Sequence, residues 1–258
     1  MRALWLTAGA MATVIALVGS TAALWTAFAR AREPVVTDLR SIPFDGDTVE
    51  IKATAAPVSL FIAPGQAGEL MISRSLSWSK ERPKVSETWD PATATLRLGT
   101  DCPGSGQPDG SFCEADYTIF VPPETDVVAG TTAGELDVHA LFGSLRLTSV
   151  SGPVRLDEVA GPVWARTGSG DIDAGRLGGE SADLETGAGE VRVAFTGRPT
   201  FLRAVVRTRG DVSVVVPPAP YAVTASGTNT TLAIERDMAS PRKIEVSTHA
   251  GSVSVCCR

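Results

Sequence analysis

The stretch GELDVHALFGSLRLTSVSGPVRLDEVAGPVWARTGSGDIDAGRLG, residues 134–178, decides the fold of this chain. It divides into five phrases of nine residues, each opened by a glycine. The second, fourth and seventh positions after that glycine are apolar in fourteen of fifteen cases, with Gly168 the exception, whereas a chain of 43% hydrophobic residues would give about six by chance. This pattern predicts one strand and one turn per phrase. The opening glycines are Gly134, Gly143, Gly152, Gly161 and Gly170.

Short repeats of this kind are typical of elongated β architectures, in which each unit buries its apolar face against its neighbours. We therefore predict an all-β fold, a single-stranded β-helix or β-solenoid-like stack, over residues 131–258. An N-terminal β segment with a cysteine loop should occupy residues 48–130. A tether over residues 30–47 and one transmembrane α-helix within residues 1–29 should precede it.

The number of phrases in one coil decides which charged residues become neighbours. Two phrases per coil would stack Asp137, Arg155, Asp173 and Arg192 with alternating sign, which is favourable on adjacent strands. Three phrases would place Arg146 beside Asp173 instead. An antiparallel meander is a third possibility, but it favours Asn-Gly or Asp-Gly hairpins, which the repeat lacks. We favour the coil of two phrases.

The N-terminal segment is apolar enough to be a membrane anchor. Residues 3–29 carry no charge, which is longer than the apolar region of about 7–15 residues in a secretory signal. Trp5 and Trp25 would lie about 30 Å apart on a helix, the thickness of the hydrocarbon core. We favour a transmembrane helix and the membrane as a partner through residues 3–29. A cleaved signal ending near the Ala-Phe-Ala of residues 27–29 is the alternative.

Four cysteines indicate in which cellular compartment the β domain lies. Cys102 and Cys113 bracket the turn-rich loop PGSGQPDGSF, which favours a disulfide and an extracytoplasmic domain. Two free thiols in the cytosol are the alternative. Cys256 and Cys257 are adjacent, so on a strand they would point to opposite faces. The cysteines lack the paired spacing of a zinc site.

The charge of the chain bears on its partners. The formal net charge of -6 argues against nucleic acid, which requires a basic surface. Arg203, Arg207 and Arg209 are the nearest approach to a basic cluster, and we interpret them as a solvated strand face.

Several of these features together resemble a known family. They are the apolar N-terminal segment, the Cys102 and Cys113 pair followed by DYTIFVP at residues 116–122, and the phrases SGPVRL (151–156) and GSGDID (168–173). The chain thereby resembles the bacterial "putative adhesin" family, a domain family of unknown function, in its high-GC form, over residues 48–258. The resemblance implies a β-solenoid-like body tethered to the cell envelope and supplies no catalytic residues. Adhesion follows from it by analogy.

The sequence lacks the common catalytic and metal-binding motifs. It contains no GxSxG elbow, phosphate-binding GxxxxGK[ST] loop or HExxH motif, so we predict no catalytic residues, metal site or cofactor. His139 is expected to be a surface histidine. Outward carboxylates are the remaining candidates, either as an acid–base pair on a polysaccharide or, at Asp171 and Asp173, as calcium ligands. We favour a solvated face for this set: Asp157, Glu158, Asp171 and Asp173.

Trp164 is the outward residue that most suggests a binding site. An exposed indole could stack on a sugar or anchor a partner, with Asp171 and Asp173 as further candidate binding residues. Cover by the N-terminal β segment is the interpretation that we favour.

We therefore expect a membrane-anchored, extracytoplasmic, non-catalytic protein with an adhesin, envelope-binding or sensing role. Its partner would be an envelope polysaccharide or protein. A carbohydrate-active β-helix enzyme acting through Asp157, Asp171 or Asp173 is one alternative. A membrane-tethered regulatory scaffold in the cytosol is the other.

Overall fold

A computed structural model of the chain describes residues 35–103 and 113–257, together with nine residues of the N-terminal segment. The chain divides into two compact units, Met1–Val35 and Val36–Arg258. The described residues form twenty strands, numbered in chain order: β1 Val35–Pro43, β2 Thr48–Pro64, β3 Glu69–Trp78, β4 Lys84–Asp90, β5 Thr95–Asp101, β6 Cys113–Val121, β7 Asp126–Ala133, β8 Leu136–His139, β9 Leu145–Ser151, β10 Val154–Asp157, β11 Val163–Ser169, β12 Ile172–Leu177, β13 Ser181–Thr186, β14 Val191–Phe195, β15 Phe201–Arg209, β16 Val212–Val216, β17 Ala222–Ser226, β18 Asn229–Ala233, β19 Lys243–Ala250 and β20 Ser252–Cys257.

The residues of the first unit that are described before Val35 are helical. Most of the predicted anchor, residues 3–29, lies outside the described residues. No helix found among the described residues is both long and apolar enough to cross a bilayer. The helical residues are 11, 13, 14, 17–21 and 25.

The second unit is built from two large sheets, A and B, between which successive strands of the repeat alternate. Strands β7, β9, β11 and β13 belong to sheet B, and β8, β10, β12 and β14 belong to sheet A. We call a sheet B strand and the sheet A strand that follows it a rung. Val154 aligns with Leu136 on one side and Ile172 on the other, both in parallel and eighteen residues away. Two phrases therefore separate paired strands, and the three-phrase and antiparallel alternatives are wrong.

The charge ladder expected for this spacing is present on sheet A. Arg155 aligns with Asp137 and Asp173, and Asp173 aligns with Arg192. The guanidinium groups of Arg155 and Arg192 form ion pairs with neighbouring glutamates, Glu135 and Glu190 respectively. The alternation of charge thus reduces repulsion along a column of stacked strands.

The apolar positions of the repeat form the core, with one correction. Of the apolar residues expected to point inward, Val150 is 64% exposed and the others are buried. The reason is that β9 continues to Ser151, so strict alternation buries Ser149 and turns Val150 outward. In sheet A the strand ends earlier: Glu158 adopts a left-handed backbone with φ 57°, and the chain then buries Val159. The two phrases of a rung are therefore not equivalent.

A row of buried hydroxyl groups marks one corner of the stack and was not predicted. Thr167 Oγ1 donates a hydrogen bond to the Gly152 carbonyl at 3.1 Å, and Thr186 Oγ1 donates one to the Gly170 carbonyl at 2.8 Å. These bonds satisfy carbonyl groups where the chain leaves one sheet for the other. The signal in the sequence is Thr or Ser three residues before a glycine, at Thr131, Ser149, Thr167, Thr186 and Thr248.

The predicted β segment at residues 48–130 shares both sheets with the repeat. Strand β2 spans the two sheets, pairing in parallel with β5 and β7 in sheet B and with β6 and β8 in sheet A. Strands β3 and β4 lie antiparallel on β6 and β5 at that end. The tether predicted at residues 30–47 contains strand β1, which pairs with β3, so that part of the prediction is wrong. Apolar Ile42 is buried there and fixes the strand to the core.

At the other end, the order of rungs departs from the order of the chain. Strand β15 pairs with β19, and β19 pairs with β17; likewise β16 pairs with β20, and β20 with β18. The last two strands of the chain therefore lie inside the stack, and β17 and β18 form its terminal rung. The segment at residues 234–242 carries the chain back from β18 to β19.

Candidate functional site

The outward side of sheet B carries the most ordered set of polar side chains near Trp164. Alternation along β11 buries Val163, Ala165 and Thr167 and turns Trp164 and Arg166 outward. The parallel register then places other outward residues from β9, β13 and β15 beside them. We call this set the arginine–tryptophan face: Arg146, Trp164, Arg166, Asp183, Glu185, Arg203 and Arg207.

The indole of Trp164 is half-buried, and arginines rather than the N-terminal β segment lie over its ring. The guanidinium carbon of Arg146 lies 4.1 Å from the ring centroid, and that of Arg166 lies 4.6 Å from it. Both distances are typical of cation–π contacts, which stabilise by about 0.5–1 kcal/mol at exposed sites. Trp164 therefore serves mainly to position two guanidinium groups.

Two carboxylates hold three of the four arginines in place. Arg166 Nη2 donates to Asp183 Oδ2 at 2.7 Å, and Arg203 Nη1 donates to Asp183 Oδ1 at 2.9 Å and to Glu185 Oε2 at 2.9 Å. Arg207 Nε also donates to Glu185. The Glu185 side chain is only 8% exposed, so its charge depends on these partners. The result is a rigid, ion-paired surface across three neighbouring strands.

Pairing with arginine lowers the pKa values of the Asp183 and Glu185 carboxyl groups. Burial raises the pKa of Glu185, but hydrogen bonds from Arg207 and Arg203 outweigh burial and hold it below the ordinary value of 4.5. Burial likewise raises the pKa of Asp183, and hydrogen bonds from Arg166 and Arg203 bring it below 3.8. Both groups are therefore ionised at neutral pH, and neither is poised to donate a proton as a general acid.

The substitution Glu185→Gln should lower the free energy of unfolding by about 2 kcal/mol at pH 7, because it leaves three arginines with fewer partners. The folded-state pKa of Glu185 is lowered, so its contribution is complete above the ordinary value of 4.5 and is lost as the pH falls through the folded-state pKa. The two proteins should converge in stability at lower pH. Urea unfolding between pH 7 and pH 3 measures this.

Glu245→Gln is the matched control for that experiment. Glu245 is an exposed outward residue of the neighbouring strand β19, aligned with Arg203, and we expect its substitution to change stability by less than about 0.5 kcal/mol. Equal effects of the two substitutions at pH 7 would contradict the role given to Glu185.

A groove lies alongside the arginine–tryptophan face. Its volume is about 460 Å³, within the range of small-molecule sites. Arg146 and Trp164 line it, with hydroxyl groups from Thr48, Ser144 and Ser181. A second groove of about 270 Å³ also includes Arg146, together with outward residues of β2 and β7. Arg146 therefore lies where the two grooves meet.

The aspartates proposed with Trp164 as binding residues lie elsewhere. Asp171 precedes β12 and Asp173 lies within it, in sheet A, whereas Trp164 belongs to sheet B. Asp171 Oδ1 accepts a hydrogen bond from the Glu190 backbone N–H at 2.8 Å, which gives it a structural role at a corner. The three residues therefore do not form one site.

The other outward carboxylates are engaged in ion pairs. Asp157 and Glu158 both contact Arg176, and His139 Nδ1 lies 3.5 Å from Asp157 Oδ2. In the part of the chain that is described, no group of three or more His, Cys, Asp or Glu side chains is placed to hold a metal ion.

The cysteines follow the predicted pairing. Cys102 and Cys113 form a disulfide that joins the end of β5 to the start of β6. Cys256 is half-buried and Cys257 is exposed, and both are free thiols.

The acidic members of the face were not anticipated. Asp183 and Glu185 have the spacing of one outward strand face, two residues apart, and the next sheet B strand carries Arg203 and Arg207. The arginines do form an outward strand face, as interpreted from the sequence, but through ion pairs rather than through solvation alone.

Comparisons with known proteins concern the fold. No protein-family model matches the chain, and no curated protein sequence is similar to it. Its structure is similar to that of a putative adhesin from Bacteroides fragilis NCTC 9343, with a TM-score of 0.51 and 13% identity over 87% of this chain and 98% of that one.

Two further solved structures are less similar. One is a putative cell adhesion protein from Clostridium sporogenes ATCC 15579, with a TM-score of 0.38 and 10% identity over 87% of this chain and 100% of that one. The other is a putative adhesin from Parabacteroides merdae ATCC 43184, with a TM-score of 0.41 and 11% identity over 84% and 95% of the two chains. The similarity to the Bacteroides fragilis structure concerns the all-β fold.

Proposed function

We propose that this protein is a non-catalytic binding protein of the bacterial cell envelope with an adhesin-like role. The arginine–tryptophan face carries this proposal, because it is outward, ordered by ion pairs and bordered by an open groove. A surface whose side chains are already held in place loses little entropy when it binds a ligand. Paired, fully ionised carboxylates suit a binding surface better than acid–base catalysis.

We further propose that the rungs form a β-solenoid. Parallel registers of eighteen to twenty-one residues between successive rungs from β7–β8 to β15–β16 support this, as does the continuation of both sheets through β2, β5 and β6. Neighbouring strands lie about 4.8 Å apart, so the outward residues repeat along the stack at a fixed spacing. Such a surface is suited to linear polymers, which present repeated groups along their length.

Residues 3–29 would anchor the protein in the membrane, with residues 36–258 outside the cytoplasm. Five described apolar side chains of this segment support the anchor, because they are 59–79% exposed and a lipid bilayer would remove them from water. They are Met11, Val14, Leu17, Val18 and Trp25. The Cys102–Cys113 disulfide supports an oxidising compartment.

Topology is tested by producing the full chain in a bacterial host. We expect protease added to intact cells to remove the β domain, and Cys102 and Cys113 to resist alkylation until a reductant is added. A domain fully protected from protease, or thiols alkylated without reductant, would instead indicate the cytosolic scaffold.

Binding is tested by sedimenting isolated envelope with the detergent-purified full chain. We expect the protein to sediment with the envelope, and the double substitution Arg146→Met with Trp164→Ala to abolish this. Arg155→Ala, on the outward side of sheet A, is the matched control and should bind normally. Release of reducing ends from envelope polysaccharide, abolished by Asp157→Asn, would overturn the non-catalytic assignment.

A further inference from the structure

The arginine–tryptophan face is positively charged in an acidic protein. It contains four guanidinium groups and two carboxylates, whereas the whole chain has a formal net charge of -6. The excess belongs to the face itself, and the groove of about 460 Å³ beside it is lined by Arg146 together with Asp126 and Asp183. A local electric field of this kind favours an anionic ligand. Salt screens the field only weakly where the charged groups are partly buried.

Arg146 differs from the other arginines of the face. Arg166, Arg203 and Arg207 each contact a carboxylate, but no described carboxylate lies within ion-pair distance of Arg146. Its guanidinium group lies over the Trp164 ring. A cation held over an indole keeps its hydrogen-bond donors free, and a guanidinium group can bind a carboxylate through two of them.

The acidic residues of the groove are occupied by other partners. Asp126 Oδ1 accepts a hydrogen bond from the Ser144 backbone N–H at 2.7 Å, and Asp183 is held by Arg166 and Arg203. Neither aspartate forms an ion pair with Arg146. Among its described lining residues, the groove therefore combines an arginine without an ion-pair partner with the hydroxyl groups of Thr48, Ser144 and Ser181, which can bond to sugar hydroxyls.

We propose that this groove binds an acidic polysaccharide, with Arg146 contacting a sugar carboxylate and Trp164 holding the guanidinium group in position. The inference rests on the proposed function and adds the chemical class of the ligand. The second groove, which shares Arg146 and Val128 with the first, would receive the adjoining sugar units. Uronic acids fit this arrangement because they carry one carboxylate and several hydroxyl groups per ring.

The test uses the detergent-purified full chain with polygalacturonate, in EDTA to prevent calcium gelation, and with the same polymer after methyl esterification. Esterification removes the charge and keeps the sugar backbone. We expect binding to polygalacturonate at least tenfold tighter than to the ester, and weakening with added salt. We expect Arg146→Met to weaken polygalacturonate binding at least tenfold, because it removes the charged hydrogen bonds to the sugar carboxylate.

The variants separate a binding defect from misfolding. Arg146→Met keeps a long side chain over the indole, and its thermal unfolding should match that of the wild type within a few degrees. Arg155→Ala should bind polygalacturonate normally. Equal binding to both polymers, undiminished binding by Arg146→Met, or preference for single-stranded DNA would overturn the inference. Sedimentation with envelope but not with polygalacturonate would also overturn it while leaving the proposed function in place.

Discussion

Replacing Gly161 with alanine should lower the free energy of unfolding by about 3 kcal/mol or more. Gly161 opens a sheet B phrase, and a Cβ atom there would overlap the Gly143 carbonyl oxygen of the preceding rung and lie 2.7 Å from the Phe142 carbonyl oxygen. These are backbone atoms, so neighbouring rungs would have to separate to admit one methyl group. For a domain of this size the unfolding temperature should fall by about 6–12 °C.

Gly197→Ala is the control for this prediction. A Cβ atom at Gly197 would lie 3.6 Å from the Gly178 carbonyl oxygen, an ordinary van der Waals contact. Alanine should be tolerated there and could stabilise the protein by reducing the entropy of the unfolded chain, by about 0.4–1 kcal/mol. Thermal and urea unfolding of the two variants measure the difference. If Gly161→Ala unfolds at the same temperature as Gly197→Ala, close stacking of the rungs at this corner is wrong.

Removing the disulfide should produce the second largest effect. The double substitution of Cys102 and Cys113 by serine should lower the free energy of unfolding by about 3 kcal/mol, because the bond restricts the unfolded chain across a separation of 11 residues. The bond also joins β5 to β6, which form a rung outside β2. Loss of the bond should therefore loosen that end of the domain first, which hydrogen exchange of the β5 and β6 amides would detect.

Substitution of the two free cysteines, Cys256 and Cys257, by serine controls for this effect. They form no disulfide, so we expect a change of less than about 0.5 kcal/mol. The oxidised wild type should also lose stability when reductant is added, whereas the serine variant should not respond. An oxidised and a reduced wild type that unfold at the same urea concentration would contradict the prediction.

The candidate site was anticipated only in part. Trp164 was identified because a large aromatic residue at an outward position is unusual in this repeat. The two-phrase coil aligns Arg146 with Trp164, but alignment on adjacent strands does not determine that the guanidinium group lies over the ring. Asp171 and Asp173 are further candidates because they are expected to be outward on the next phrase, but consecutive phrases belong to different sheets. Closeness along the chain is therefore a poor guide to closeness on the surface of this fold.

The glycine period and the alternation of apolar residues were sufficient to predict an all-β chain, the spacing of paired strands and most of the buried residues of the repeat. These properties are local, because each phrase must place its own apolar side chains inward and its own glycine at a corner. The charge ladder of Arg155 and Asp173 followed from the same spacing.

The order of the rungs and the composition of the binding surface depended on tertiary structure. Strands β16, β18 and β20 are similarly short and β-prone, so nothing within them specifies that β20 lies between the other two. That choice depends on which strand edge is open and on the path of the chain at residues 234–242. The ion pairs of Glu185 join β13 to β15, and the packing of the core does not determine the outward residues of these strands. Only the register of the assembled strands brings the arginines together around Glu185.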